Sequence, residues 1–373
     1  MMGISLEELQ LATRNHGMPL EALRHAITPP GLHYLLTHYD IPVVDARSWT
    51  LELGGLVERP LKLTLDELRL REAVELVVTM ECAGNGRAKL DPRPSTSQPW
   101  LVEAIGTARW RGIPLRTLLD EAGVRDGAVE VLFTGLDRGL EGGVEQTYQR
   151  ALAIDDSRRD EVLLAYDMNG APLPPQHGFP LRVVVPGWYG MTSVKWLARI
   201  DVIDRPFDGY QQAQAYRLRQ TEDEPGEPLT RMAPRSLLVP PGVPDFFTRE
   251  RALPLGPVLL EGRAWSGQAR VEAVEVSVDG GETWHAAELE PDAPGSRWAW
   301  RGWTFTWDAS PGRHLVGSRA CDGAGNIQPL EPRWNLGGYA NNAVQWVRVN
   351  VSAPLAAQDP QSARADSGSR EDP

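Results

Sequence analysis

The strongest constraint on this chain is a change of texture near residue 206. Before it, apolar strands and amphipathic helices are intermixed; after it, short strands of period two follow one another at close spacing. Such a change marks two units, and 373 residues leave room for about two domains. In the second unit, V-E-A-V-E-V-S-V-D-G-G-E-T-W-H-A-A-E-L (271–289) reads as a hairpin turning on Asp-Gly-Gly. W-A-W-R-G-W-T-F-T-W (298–307), G-R-H-L-V-G-S-R-A-C-D (312–322) and A-V-Q-W-V-R-V-N-V (343–351) are further strands. Strands this short and this close predict an immunoglobulin-like β-sandwich over residues 235–352. Trp265, Trp284, Trp298, Trp300, Trp303 and Trp307 recur at roughly strand period and read as core and interface.

Upstream, residues 30–205 predict an α+β domain. L-E-E-L-Q-L-A and L-E-A-L-R-H-A read as short helices within an N-terminal extension over 1–29. L-T-L-D-E-L (63–68) is a helix start, and P-L-R-T-L-L-D-E-A-G (114–123) is an amphipathic helix closed by Gly123. E-L-V-V-T-M-E (75–81), V-E-V-L-F-T-G (129–135), V-L-L-A-Y-D-M-N-G (162–170) and P-L-R-V-V-V-P-G (180–187) are strands. Residues 206–234, rich in Pro, Arg and acids, form a connector. Residues 353–373 have almost nothing to bury and predict a disordered tail.

The chemistry concentrates at V-T-M-E-C-A-G-N-G-R (78–87), where one of only two cysteines ends an apolar strand. Gly84 and Gly86 let the backbone turn sharply and approach a ligand closely. Exposed amides and Arg87 are expected to lower the Cys82 thiol's pKa. A thiolate there suits a soft metal or covalent catalysis, and an inert buried cysteine beside a tight turn fits the same residues. Two cysteines are too few for a four-thiolate zinc or iron–sulfur site, so a metal at Cys82 must bring most of its own ligands. His177, Arg182, Ser193 and Lys195 bracket the strand H-G-F-P-L-R-V-V-V-P-G (177–187), and cations so placed suit a bulky anionic ligand. Read singly, Arg182 and Lys195 are solvated strand-end charges.

A net charge of −12 argues against nucleic acid as a partner. No apolar run approaches the roughly 18 residues of a membrane helix, so no membrane partner is expected. The N-terminus shows no basic-then-apolar leader or twin-Arg segment, and the expectation is a cytoplasmic protein.

Taken in order, these segments resemble the sulfite oxidase family of molybdopterin enzymes from about residue 28 to 352. The resemblance rests on C-A-G-N with Arg87 five after the Cys, the 177–187 strand, V-K-W-L (194–197), V-S-V-D-G-G-E-T-W (276–284) and the W-N-L…N-N-A ending. It implies a molybdopterin-binding domain, a homodimer through the sandwich, and oxidation of sulfite to sulfate at a molybdenum–molybdopterin centre. Cys82 would be the one protein ligand to the metal. His38, Asp137, His177, Arg182, Ser193 and Lys195 match cofactor-holding positions, as Tyr39 and Thr107 do less closely. Arg87 and Tyr216 match positions that handle the oxyanion, and Trp100 a pocket wall. The sequence carries no C-x-x-C-H haem site, which implies a separate electron acceptor such as a cytochrome.

Two positions depart from the family pattern. The Arg expected two before His38 is Leu36, and the family's W-N-L-R-G reads W-N-L-G-G, with Gly337. Arg14-Asn15-His16 looks like the missing motif but lies upstream of its slot. These departures motivate one rival, a molybdenum reductase of another oxyanion, S-oxide or N-oxide. A second, from another class, is a cofactor-free binding or scaffold protein that keeps the fold, against which Cys82, Arg182 and Lys195 count.

Overall fold

The computed structural model describes residues 4–94, 97–291 and 295–352; the tail predicted over 353–373 lies outside them. In the N-terminal unit, strands β1 (Thr50–Gly55) and β2 (Leu61–Thr64) precede β3 (Val74–Glu81) and β4 (Ile105–Pro114). There follow β5 (Glu130–Glu141), β6 (Val144–Ala153), β7 (Leu163–Met168), β8 (Ala171–Pro172), β9 (Arg182–Val184) and β10 (Leu197–Ile203). They form two sheets, one ordered β2-β1-β10-β5-β6 and the other β3-β4-β7-β8 with β9 beside β7. The β1–β10 pair is parallel; its neighbours in that sheet are antiparallel.

The largest apolar core lies between these sheets. Leu51, Leu53, Phe133 and Ile200 from the first meet Ile113, Leu164 and Val183 from the second. Helices Leu65–Arg69 and Leu115–Ala122 add Leu68, Leu118 and Leu119. Both behave as their local sequence demands. The Thr64 hydroxyl accepts from the Glu67 amide while the Glu67 carboxylate accepts from the Thr64 amide, a reciprocal cap. Gly123 ends the second helix at φ +71°, where a side chain would be strained.

Sheet dominates the unit, and the helical share is smaller than the α+β expectation implied. L-E-A-L-R forms a five-residue 3₁₀ segment after Pro19 rather than an α-helix. The strand expected over 180–187 is ordered as ladder only at Arg182–Val184, because Pro180 and Pro186 have no N–H to donate.

The C-terminal unit is built from two sheets. Arg235–Leu238, Gly256–Trp265, Arg301–Ala309 and Glu288–Leu289 form one. The other runs Val243–Pro244, Arg251–Pro254, Gln345–Ser352, Gly312–Asp322, Val271–Ser277, His285–Ala286. Between them Leu238, Leu260, Val274, Trp303, Trp307, Val316 and Val349 make a closed apolar core. The return arm of the hairpin from 271 holds only His285–Ala286, and Gly256–Trp265 is a strand that sequence patterning did not single out.

The two units are locked together beside β3. Glu81 is buried, pairs with Arg235 Nη1 at 2.6 Å, and accepts from Trp265 Nε1 at 2.9 Å and Asn85 Nδ2 at 3.0 Å. Trp265 and Trp300 therefore pack at the junction with Ala83 and Tyr189, not inside the sandwich. No helix among the described residues is long and apolar enough to cross a membrane.

Candidate functional site

The second half of β3 is wholly buried, and the chain turns immediately after it. Cys82 N–H donates to Ala104 O and Asn85 N–H to Cys82 O, which fixes the thiol at the end of the strand. Both glycines of the loop are required by the protein's own packing. A Cβ on Gly84 would come within 2.7 Å of the Arg87 guanidinium, and Gly86, at φ +92°, lies against Asn341 of the C-terminal unit. The expected thiol acidity is also reversed. Burial pushes the Cys82 pKa up, and the opposing pulls of Arg87 and the Gly84 amide are smaller.

Cys82 opens into a cavity of about 610 Å³, including its mouth. His38, Asp137, His177, Arg182, Ser193, Lys195 and Tyr216 all line it, so eight of the residues singled out from sequence converge. Arg182 is buried and its guanidinium is held by backbone carbonyls: His177 O at 3.1 Å and Ser193 O at 3.1 Å. It lies 4.8 Å from the Trp110 ring centroid, and burial lowers its pKa to about 10. The Lys195 ammonium donates to Leu36 O at 2.8 Å and Gln176 O at 3.2 Å, and its pKa is pushed down by burial. Asp137 is pushed the other way by burial. Among the described residues neither Arg182 nor Lys195 forms an ion pair with a carboxylate, although Asp137 acts on Lys195 from farther off. The Ser193 hydroxyl accepts from Val185 N–H, which leaves its own proton to donate.

His38 stacks 4.6 Å from Tyr148, and its Nε2 meets the Tyr216 hydroxyl. Burial lowers His38 to about 3, so its ring is neutral near pH 7 and Nε2 is read as the acceptor. Tyr216 follows one wide helical turn, Gln211–Ala215, and packs against Tyr339 at 5.3 Å.

The other sequence candidates stand off the cavity wall. Arg87 is turned toward the C-terminal unit: Nε donates to Gly337 O at 2.8 Å, Nη1 to Ser97 Oγ at 2.7 Å, and the guanidinium covers the Tyr339 ring. Trp100 packs against Cys82 and Ala104. The Tyr39 hydroxyl is occupied by Glu141 and Gln211. Thr107 is buried within the sheet, its hydroxyl 2.5 Å from that of Thr79.

Leu36 lines the cavity, while Gly337 does not: its carbonyl accepts from Arg87 Nε, itself off the wall. The Arg14-Asn15-His16 segment runs along the back of residues 35–39. Arg14 Nη2 donates to Tyr39 O at 2.6 Å, Asn15 Oδ1 accepts from Thr37 N–H at 2.7 Å, and His16 pairs antiparallel with Leu35. It braces the His38 segment from outside and contributes nothing to the lining.

Sequence reading missed His33, Tyr34, Tyr148 and Met191 on the wall. The repeated His-Tyr at 33–34 and 38–39 was the available signal for the first two. Tyr148 lies on β6, a strand with no marked period, and had none.

The wall suits a large anionic group that carries its own metal. Among the described residues Arg182 has no carboxylate in contact, Lys195 has only Asp137 acting on it short of an ion-pair contact, and His33 Nε2 and Asp137 Oδ1 are buried without hydrogen-bond partners. No cluster of three or more His, Cys, Asp or Glu among the described residues could hold a bare metal ion. One thiol with buried cations is a donor set for a metal whose remaining ligands arrive with an organic cofactor.

Comparisons with known proteins agree. The oxidoreductase molybdopterin binding domain matches residues 38–211, and the Mo-co oxidoreductase dimerisation domain matches 234–353. Sulfite oxidase of Gallus gallus is 39% identical over 334 residues, covering 85% of this chain and 72% of that protein. Nitrate reductase [NAD(P)H] of Hordeum vulgare is 37% identical over 355 residues, covering 88% of this chain. This chain spans only 40% of that reductase's length. Among solved structures, the sulfane dehydrogenase SoxCD of Paracoccus pantotrophus superimposes with a TM-score of 0.77 at 27% identity, covering 91% of this chain and 86% of that one.

Proposed function

Because the chain belongs to the sulfite oxidase family of molybdenum oxidoreductases, we propose that it oxidises sulfite to sulfate and passes the electrons to a separate acceptor. The cofactor of the family is molybdenum–molybdopterin. When bound, it supplies the two-electron redox couple and the oxygen-atom transfer. The observation that carries the reading is the cavity wall, where the Cys82 thiol faces a space flanked by Arg182 and Lys195, two buried cations with no carboxylate in ion-pair contact among the described residues.

In this reading Cys82 Sγ is the one protein ligand to the metal. Arg182, Lys195, Ser193 and His177 hold the pterin and its phosphate. Anionic cofactor charge would offset the desolvation of two buried cations, a cost of several kcal/mol for an uncompensated ion. Tyr216 faces the reacting oxyanion from the wall, its hydroxyl proton given to His38 Nε2, which fixes the ring in place. Arg87 acts from behind Tyr339, adding positive potential without reaching the cavity. Residues 30–205 form the cofactor domain, and 235–352 form an immunoglobulin-like module that pairs two copies; light scattering at the mass of one chain would refute the dimer.

Leu36 favours a second reading. An apolar wall where a guanidinium would sit weakens the attraction for a dianion, which suits a less charged substrate such as nitrate or an S-oxide. The deciding experiment is molybdenum analysis of protein from cofactor-competent cells, with sulfite-dependent dye reduction and nitrate-dependent oxidation of reduced viologen on one preparation. Metal near one per chain with sulfite turnover is expected. Metal with nitrate or S-oxide turnover alone would replace sulfite by the second reading, and protein free of metal would refute both.

A further inference from the structure

Arg150 is the most deeply buried guanidinium near the site that no role described so far uses. It lies on β6 two residues beyond Tyr148, on the same strand face, and is 2% exposed. Nη1 donates to Gln211 O, Nε has no hydrogen-bond partner, and among the described residues no carboxylate forms an ion pair with it, Glu130 acting only from farther off. Its guanidinium lies 5.7 Å from the centroid of the Tyr216 ring. On the other side Tyr216 packs against Tyr339, and Arg87 covers Tyr339 at 5.0 Å. Two tyrosine rings are thus held between two buried guanidiniums, and one of those rings forms the cavity wall.

A buried cation with an idle N–H and no carboxylate in contact, Glu130 acting on it only from a distance, is costly, and such groups are retained where an anion uses them. A guanidinium keeps its proton in such a place, since even a lowered pKa stays far above neutrality. The charge is therefore permanent, and it stands behind the ring that meets the substrate space. Leu36 and Gly337 bring no charge of their own to that space.

We propose that Arg150 is a positioning and specificity residue for the oxyanion, fixing Tyr216 and lending through it the positive potential that Leu36 and Gly337 do not provide. This rests on the oxyanion reading above. The test compares cofactor-loaded wild type with Arg150→Met and Arg150→Lys. It measures KM and kcat for sulfite, the Kd of sulfate by calorimetry, and the melting temperature. Arg150→Met is expected to raise both KM and the sulfate Kd about tenfold, with kcat changing less, because the lost potential acts on binding. Its melting temperature should hold or rise, since an unpaired buried charge gives way to an apolar group. Arg150→Lys should recover at least half of the lost affinity.

An unchanged sulfate Kd in Arg150→Met, whatever its melting temperature, overturns the proposal and leaves Arg150 as packing. A Lys variant as weak as the Met variant also overturns it, because charge is then not the cause. Should the Met variant fail to fold, the Lys variant decides alone: a sulfate Kd within about threefold of wild type supports the proposal, and a tenfold loss overturns it. Wild type that neither binds sulfate nor turns over an oxyanion overturns the functional reading and this inference together. Wild type that does both, beside an unaltered Met variant, overturns this inference alone.

Discussion

Between the two sheets of the C-terminal unit, the apolar core is Leu, Val, Ala and Trp closed on one another, and the buried polar side chains beside it, such as Ser236, Ser318 and Gln345, are hydrogen-bonded across the sheets. Around Cys82, burial falls instead on His33, His177, Arg182, Asp137 and Arg150, and polar atoms of three of them lack partners. The first region gains stability from each side chain it removes from water, roughly 25 cal/mol per Å² of apolar surface. The second loses stability for each ionisable group it buries. The contrast separates what holds the molecule together from what it holds in readiness for a ligand. Between them lies a third case: Glu81 and Arg235 are as buried as the cavity cations, yet each has the other, and their bond joins the two regions.

Removing the thiol breaks the contrast most severely. Cys82→Ser is expected to reduce turnover to assay background while circular dichroism and the melting temperature stay near wild type. Near-normal turnover would take the metal-ligand role away from Cys82 and the cavity out of the chemistry. The next effect in size falls on the junction. Arg235→Met leaves Glu81 buried without its counter-charge and is expected to cost about 3–5 kcal/mol in urea unfolding, with the Glu81→Leu/Arg235→Met double variant costing less than the single ones summed. A single-variant loss below about 1 kcal/mol would mean that this pair does not tie the units.

The smallest effect sharpens the contrast through pH. Burial lowers His33 to about 4. Between pH 6.5 and 4 the unfolded chain therefore binds a proton that the folded chain refuses, so stability falls as pH falls through that window. At about 1.4 kcal/mol per unit, the share of His33 is about 3 kcal/mol. His38 and His177 act in the same direction. Urea unfolding of the cofactor-free protein at pH 7, 5.5 and 4.5 should show the loss, and His33→Phe should flatten it by about one residue's share. A His33→Phe slope equal to wild type would mean that His33 is not kept neutral by burial.

Legibility followed the range of the interaction. The Thr64–Glu67 cap, the stop at Gly123, the Asn169-Gly170 turn between β7 and β8, and the strand at Gly312–Asp322 were readable because each depends on residues a few positions apart. The cavity residues flanking the 177–187 strand were readable for a similar reason, since cations and a hydroxyl crowd one short stretch. His38 and Tyr216, far from it in sequence, were legible only through the family resemblance.

By itself, the sequence determined the two-unit organisation, the strand that ends in Cys82, and the family to which both belong, because these rest on local spacing and residue type. Only the tertiary structure decided that Gly84 and Gly86 clear Arg87 and Asn341, that burial outweighs Arg87 at the thiol, and that Arg87 faces Gly337. It alone brought Arg150, Tyr216, Tyr339 and Arg87 into one stack from positions separated by as many as 252 residues. Burial and charge proximity are properties of the packed interior, and no spacing along the chain encodes how much water a side chain will lose.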